Sequence, residues 1–383
     1  MTHKTLFDLP TPSLVLDRAK LARNIRRMAL ACARNGVALR PHLKTAKSID
    51  VARMVLDDQT PGIAVSTLCE AEYFAGEGLR DIQYAVCITP DKLERVAAIQ
   101  TTGARLALIT DNAEVARAIA DAQDRIDTRF RVQIEIDCGE NRTGVLPGSD
   151  QLIEIARILD AAPNIDFDGV MTHAGHSYGC RSLTEIETLA EAERLAAVTA
   201  AEAVRALGID CNTVSLGSTP TALHARNLDG ITEARAGVYM FGDMFQAQIG
   251  SCMVDDLAVS VLTEVSSHRT DLNHLTVDAG ALAMSKDRST EAVPNDVGFG
   301  LVRDARGRSI APQMIVKRVY QEHGLVPMPE GQRLEDYPVG DRLRIFPNHV
   351  CMTAAMYDRY HVVDSASGNG TDIVAVWPRA NGW

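Results

Sequence analysis

FRVQIEIDCGENRTG, residues 130–144, holds one unit of the fold in miniature: an apolar run, then a cluster of polar residues and glycine, with a helical stretch to follow. The same succession recurs along the chain. Its apolar runs are VALR (37–40), GIAVS (62–66), IQYAV (82–86), ARLALI (104–109), FRVQIEI (130–136), FDGVMT (167–172), TVSL (213–216) and TEARAG (232–237). Eight β/α units over roughly 230 residues have the size of a (β/α)8 TIM barrel. A doubly wound open sheet is the competing arrangement, but the GxGxxG that would follow its first strand is missing. Ahead of these units the spacing predicts a helix from Arg18 to Asn35. Leu21, Ile25, Met28, Ala29 and Cys32 recur at helical period and Gly36 stops it.

After about residue 250 the pattern changes. VLTEV, HLTVDAG, LRIFPNH, YHVVD and IVAVW read as strands separated by turn residues, with no long helix among them. The expectation is therefore an α/β chain: a barrel over residues 18–250, then a smaller all-β domain over 251–383. Residues 1–17 join the second domain through TPSLVLD (11–17). At 383 residues and 46% hydrophobic composition the chain can bury both cores, and nothing in it suggests disorder.

A formal charge of −11 disfavours nucleic acid or an anionic membrane as partner, while leaving room for a small anion held by local donors. The N-terminus lacks the basic and apolar regions of a signal peptide. No uninterrupted run reaches the about 18 apolar residues of a membrane span. The eight cysteines are scattered without a CxxC, the pattern of reduced, packed thiols in a cytoplasmic protein.

In such a barrel the chemistry gathers at the C-terminal ends of the strands. RPHLKTAKS follows the first strand and places His42, Lys44 and Lys47 there. Partial burial would lower the pKa of Lys44 and free its amine for a Schiff base; a solvated surface lysine is the alternative. DCGENRTG brings Arg142, either a cation for an anionic ligand or half of an ion pair that orders the loop. THAGHSYGC brings His173, His176 and Tyr178, a dense set of titratable donors. GSTPT, with Ser218 and Thr219, and AGVY, with Gly237, Val238 and Tyr239, offer backbone N–H groups where these barrels bind phosphate. In the second domain, NHVC sets His349 two residues from Cys351. On a strand both would face one side, a half-site for zinc; a buried cysteine beside a hydrogen-bonded histidine is the alternative. Gln321, Glu322 and His323 of QEHG could orient a substrate or be structural.

Together RPHLKT, VSTLCEAE, EIDCGENRTGV, THAGHSYGC, SLGSTPT, TEARAGVYMF, VDAGALAMS, QEHG and PNHVCMTAAM resemble the D-serine dehydratase family of fold-type III pyridoxal-phosphate enzymes. D-threo-3-hydroxyaspartate dehydratases and D-threonine aldolases belong to the same group. The resemblance implies an alanine-racemase-like barrel, a following β-domain and a homodimer. It makes Lys44 the Schiff-base lysine and catalytic base. Arg142, His173, Tyr178, Ser218, Thr219, Gly237, Val238 and Tyr239 become cofactor contacts, and His349 and Cys351 ligands of zinc, with manganese as the other candidate. The implied reaction is elimination of the β-hydroxyl of a D-3-hydroxy amino acid, D-serine or D-threo-3-hydroxyaspartate, followed by hydrolysis to a 2-oxo acid and ammonia. Retro-aldol cleavage, racemisation and a non-catalytic cofactor carrier are the alternatives. The His-x-Cys pair and GSTPT favour the dehydratases, because the aldolases resemble each other in His-x-Asp and a more glycine-rich loop. A β-carboxylate would need a further cation, for which Arg181, Lys286 and Arg288 are the candidates.

Overall fold

The computed structural model describes residues 4–57, 60–367 and 369–383. The chain divides into two compact units. One comprises Arg27–Gly237 with Ala380–Trp383; the other combines the chain up to Arg26 with Val238–Arg379.

Strand β1 (Ser13–Asp17) belongs to the second unit. The first unit holds β2 (Ala38–Pro41), β3 (Ile63–Val65), β4 (Asp81–Cys87), β5 (Arg105–Thr110), β6 (Phe130–Ile136), β7 (Ile165–Thr172), β8 (Thr213–Leu216) and β9 (Glu233–Ala236). All eight run parallel in the order β2-β9-β8-β7-β6-β5-β4-β3. A bridge between His42 and Ala64 joins the two ends of that order, giving a nearly closed barrel. The α/β barrel class expected from the sequence is the one observed, and each strand lies within two residues of its apolar run.

Local chemistry explains the alternation. Thr67, Asn112, Ser149 and Ser182 each accept a backbone N–H at the start of the helix they precede. The helix Arg18–Arg34 stops where Gly36 turns left-handed at φ +67°.

The barrel interior is not the apolar stack usual for this architecture. Arg40 on β2 is 2% exposed and binds Glu233 on β9 at 2.8 Å and Asp81 on β4 at 2.7 Å. Asp81 also binds Arg131 on β6 at 2.8 Å, and Arg131 binds Asp168 on β7 at 2.9 Å. Gln133 adds a hydrogen bond to Asp168 at 2.6 Å and accepts one from Gln83. These side chains link β2 to β4 and β4 to β6, which are not neighbours in the sheet, so they cross the lumen.

The second unit continues with β10 (Val259–Arg269), β11 (His274–Val277), β12 (Gly300–Asp304), β13 (Ser309–Ile315), β14 (Arg318–Val319), β15 (Gly324–Pro327), β16 (Arg342–Pro347), β17 (Arg359–Val363) and β18 (Ala375–Pro378). Its main sheet runs β13-β12-β16-β10-β1-β17-β18, with β11, β15 and β14 forming a ribbon off β10. Strand β1 pairs antiparallel with β10 and parallel with β17. Leu6, Leu9, Val15, Leu262 and Val363 pack one core, and Met244, Cys252, Leu257, Val297, Leu301 and Phe346 another. Strands β12 to β15 have no counterpart in the sequence reading. GLVRD and SIAPQMI carry charge or proline, and RV and GLVP are too short to show a period.

Removing one partner from a buried ion pair leaves the others uncompensated. Arg40→Ala is expected to destabilise the protein by about 3–5 kcal/mol, read as a urea midpoint shift. Replacing Arg40, Asp81 and Glu233 together by Met, Asn and Gln recovers most of that loss. Burial opposes the charge of Asp81, but Arg40 and Arg131 hold its carboxyl below the usual carboxylate range. A depressed folded pKa stabilises above the unfolded value and fails as pH falls through the folded one. The acid limb below about pH 4 is therefore expected to be steeper in the parent protein than in Asp81→Asn.

Candidate active site

Lys44 sits in the turn that follows β2, where Leu43 donates its N–H to Ala64 O at 2.8 Å and Lys47 donates to Leu43 O at 2.8 Å. Its side chain is exposed. The partial burial expected from the sequence is not present in this chain.

Its surroundings are cationic or neutral. His42 is held well below the ordinary imidazole value by burial first, and then by Lys44, Arg235 and His173. His173 is pushed down to about 3, by burial and then by Lys44, with Arg235 and Arg142 adding to it. Such effects weaken with distance. Geometry agrees: Lys44 donates its backbone N–H to His42 Nδ1 at 3.3 Å, Gly237 lies against His42 O, and Arg235 donates to Thr172 O beside His173. Lys44, His42, His173 and Arg235 thus gather at the C-terminal end of the barrel, with Arg142 on the loop after β6. His173 donates its Nδ1–H to Gly217 O at 2.9 Å, which leaves Nε2 as the unprotonated nitrogen. Arg142 is 55% exposed and pairs with Glu140 at 3.5 Å.

Arg235 was not singled out in the sequence. It is fully buried on β9 and donates to Ser215 Oγ at 2.6 Å and to Thr172 O. The signal was available: in TEARAG, Glu233 and Arg235 stand two apart and so face one side.

The loop after β8 is shaped from beneath. Glu193, buried on the helix Leu183–Arg205, accepts the Gly217 N–H at 2.9 Å and the Thr172 hydroxyl at 3.1 Å. Gly217 lies at φ +134°, and a Cβ there would fall 2.3 Å from Arg235 O, so only glycine fits. Ser218 caps the helix Thr219–His224, and its own N–H goes to Thr221 Oγ1 at 3.0 Å. The N–H groups of Gly217 and Ser218, expected to be open for an anion, thus hold the loop in shape instead. Ser218 Oγ meets Ser177 Oγ at 2.8 Å, tying this loop to the turn Gly175–Gly179 that carries His176 and Tyr178. Gly237 lies against the turn after β2, where a Cβ would stand 2.7 Å from His42 O.

Cys87, Asp111 and Glu135 place one ligand-type atom each within 4.8 Å of one another in this unit, another grouping the sequence did not reveal. The Cys87 thiol donates to Glu135 at 3.1 Å, and burial with both carboxylates drives its pKa up.

In the second unit, Val238 and Tyr239 form the buried turn Val238–Met240. His349 and Cys351 do not alternate on a strand as expected. Strand β16 ends at Pro347; His349 is extended at the start of the helix Val350–Ala354, and Cys351 lies in its first turn. The helical turn still brings them together, with the Cys351 thiol in hydrogen-bonding contact with the imidazole. Nδ1 of His349 meets Asp287 Oδ2 at 2.6 Å. Burial opposes an imidazolium here, but the bonds to Asp287 and Cys351 push the pKa up to about 11. Asp243 is 1% exposed and accepts the N–H groups of Val350 at 3.0 Å and Gln246 at 2.7 Å. An imidazole and a thiol side by side, with the other ring nitrogen on a carboxylate, form a donor set suited to a thiophilic divalent metal.

Gln321, Glu322 and His323 form the exposed turn between β14 and β15, packed against Gly280. Arg181 donates to Tyr178 O and Cys180 O, and Arg288 pairs with Glu291 and Asp296, so both are engaged locally; Lys286 is exposed. None of the eight cysteines forms a disulfide, and among the described residues no helix is long and apolar enough to cross a membrane.

Comparison with known proteins agrees with this layout. Residues 16–244 match the family model "Alanine racemase, N-terminal domain", and residues 258–363 match "Putative serine dehydratase domain". A D-threo-3-hydroxyaspartate dehydratase from Delftia sp. is 43% identical over 386 residues, covering 99% of each chain. A D-serine dehydratase from Dictyostelium discoideum is 32% identical over 94% of each chain. Among solved structures, a cysteine-to-alanine variant of D-threo-3-hydroxyaspartate dehydratase in the metal-free form superposes with a TM-score of 0.94 at 41% identity, covering 100% of both chains.

His42 and His173 are neutral when folded and protonate in the unfolded chain below about pH 6.5. The unfolded state then binds more protons, so stability falls as pH drops below that value. His173→Asn is expected to make the thermal midpoint fall less steeply from pH 6.5 to 5, read by scanning fluorimetry across buffers.

Proposed function

The chain belongs to the alanine-racemase-like family of dehydratases, and we propose that it is a lyase dependent on pyridoxal 5'-phosphate and zinc. Its reaction is elimination of the β-hydroxyl from a D-3-hydroxy amino acid, giving a 2-oxo acid and ammonia. The observation that carries this reading is Lys44: an accessible amine in the turn after β2, its backbone N–H on His42 Nδ1, beside His173 and Arg235 at the barrel mouth. Identity of 43% to a D-threo-3-hydroxyaspartate dehydratase against 32% to a D-serine dehydratase ranks 3-hydroxyaspartate ahead of serine as substrate. Like the family it resembles, it would act as a homodimer.

The residues fit the cofactor. An aromatic aldehyde phosphate asks for a primary amine, a fixed cation and small residues at its phosphate. Lys44 supplies the first, Arg235 and Arg142 the second, and Ser218, Thr219 and Gly237 the third, with His173 and Tyr178 alongside. His349 and Cys351 fit the metal, and manganese, a harder ion, fits a thiolate less well. A relative whose cysteine-to-alanine variant is a metal-free form supports a metal in this family. When bound, pyridoxal 5'-phosphate supplies the electron sink for a Cα carbanion and the metal a Lewis acid for the departing hydroxyl.

The chain's own part follows from its charges. Lys44 Nζ holds the cofactor and then takes the Cα proton. The neutral imidazoles of His42 and His173 add no further positive charge beside Lys44. The guanidinium groups of Arg142 and Arg235 attract the anionic groups of cofactor and substrate.

Purified enzyme given D-serine, D-threonine and the four 3-hydroxyaspartate isomers is expected to release ammonia and a 2-oxo acid, fastest from the D-threo isomer. Glycine with an aldehyde would replace this reading by a retro-aldol one. Lost optical rotation without ammonia would replace it by racemisation. Lys44→Ala should lower turnover by at least about 100-fold and abolish the visible absorbance of the bound cofactor.

A further inference from the structure

The turn that carries His349 is laced to a loop some sixty residues earlier in the chain. Asp287 Oδ2 takes the Nδ1 side of His349 at 2.6 Å across a separation of 62 residues. Asp287 is itself held: Ser289 Oγ donates to its Oδ1 at 2.8 Å, and its own N–H goes to Ser285 Oγ at 2.9 Å. Ser285 sits at φ +72°, so the loop turns sharply just before it. The lacing continues from Asn348, the residue before His349, to Thr290, three residues after Asp287. Asn348 donates to Thr290 Oγ1 at 2.6 Å and Gly298 O at 2.6 Å, and accepts the Thr290 N–H at 3.2 Å. Asn348 and Thr290 are fully buried. Residues 287–290 and 348–349 are therefore locked in register.

An imidazole can bind a metal through either nitrogen, and the nitrogen that carries the proton cannot ligate. A carboxylate fixed on Nδ1 chooses for it. It keeps that proton in place, stops the ring from flipping and makes the opposite nitrogen a stronger donor. Nothing in NHVC itself could make that choice.

We propose that Asp287 is the positioning residue of a divalent-metal centre, fixing His349 with Nδ1 protonated and Nε2 as the donor beside Cys351 Sγ. The inference rests on reading His349 and Cys351 as the metal ligands.

Full-length parent, Asp287→Ala, Asp287→Asn and His349→Ala, stripped of metal, would be titrated with Zn²⁺ against a chromophoric chelator. Circular dichroism and thermal melts check that each is folded. Asp287→Ala is expected to weaken Zn²⁺ binding by about 10- to 100-fold, and Asp287→Asn, whose Oδ1 still accepts from Nδ1, to recover part of that loss. With Co²⁺, the thiolate charge-transfer band should persist in both Asp287 variants while the d–d bands shift. The Zn²⁺-loaded parent gives a second measurement that needs no Asp287 variant to fold. Its His349 ¹⁵N shifts, assigned by their loss in His349→Ala, should report a protonated Nδ1 and a ligating Nε2. A folded Asp287→Ala that binds Zn²⁺ within about twofold of the parent, while His349→Ala does not bind, overturns the role of Asp287 alone. A metal on Nδ1 overturns it equally. If His349→Ala binds Zn²⁺ as the parent does, the ligand assignment has failed and the role of Asp287 falls with it.

Discussion

A guanidinium in the middle of a barrel must have counter-charges within reach, and Arg40 sets the terms for this one. Its bonds to Glu233 and Asp81 span three strands, and Asp81 passes the requirement on to Arg131 and so to Asp168. Desolvation makes each of these charges costly alone, whereas the chain of alternating signs leaves none uncompensated. Pairing at this level is close to complete. Nearer the mouth the signs are mixed: Arg235, Lys44 and Arg142 lie with two histidines that stay neutral, while Glu140 pairs with Arg142 and Glu233, Glu193 and Glu135 act on Arg235. A protein of formal charge −11 thus keeps three cationic side chains at the end of the barrel where loops can be shaped around a ligand.

The same logic shapes the loop after β8. Glu193 is a buried carboxyl whose pKa burial raises, and it spends its hydrogen bonds on Thr172 and the Gly217 N–H. Gly217 has no room for a side chain against Arg235 O, and His173 is fixed in its tautomer by the Gly217 carbonyl. Backbone, imidazole and guanidinium are therefore positioned by one another. A change at any of them would be felt at the others.

The barrel was legible because most of its parallel strands, covered on both faces, read as short runs dominated by apolar residues; TEARAG, with Glu233 and Arg235, showed this least. The position of Lys44, in the turn after the first of these strands, was legible too. What failed to show had a common cause: it depends on which distant residue sits opposite. Arg40, Asp81, Arg131 and Asp168 look like solvated charges until the strands close on one another. Strands β12 to β15 draw their definition from partners, not from their own period. The NHVC motif announced a histidine and a cysteine but not the helical turn that joins them. Asp287 and Asp243 lie 62 and 107 positions away from the residues they hold, too far for any local pattern.

Strand β1 carries a consequence for the order in which this chain can assemble. It leaves the ribosome before any barrel strand, yet its two neighbours in the sheet, β10 and β17, follow all of them. Arg27–Gly237, by contrast, is one continuous run that contains every barrel strand. During synthesis the barrel can close while β1 still waits with both edges unsatisfied. An unpaired strand of buried character, SLVLD, is an invitation to pair with the wrong chain. Translation speed and chaperone supply should therefore matter more to the yield of this protein than the stability of either unit would suggest.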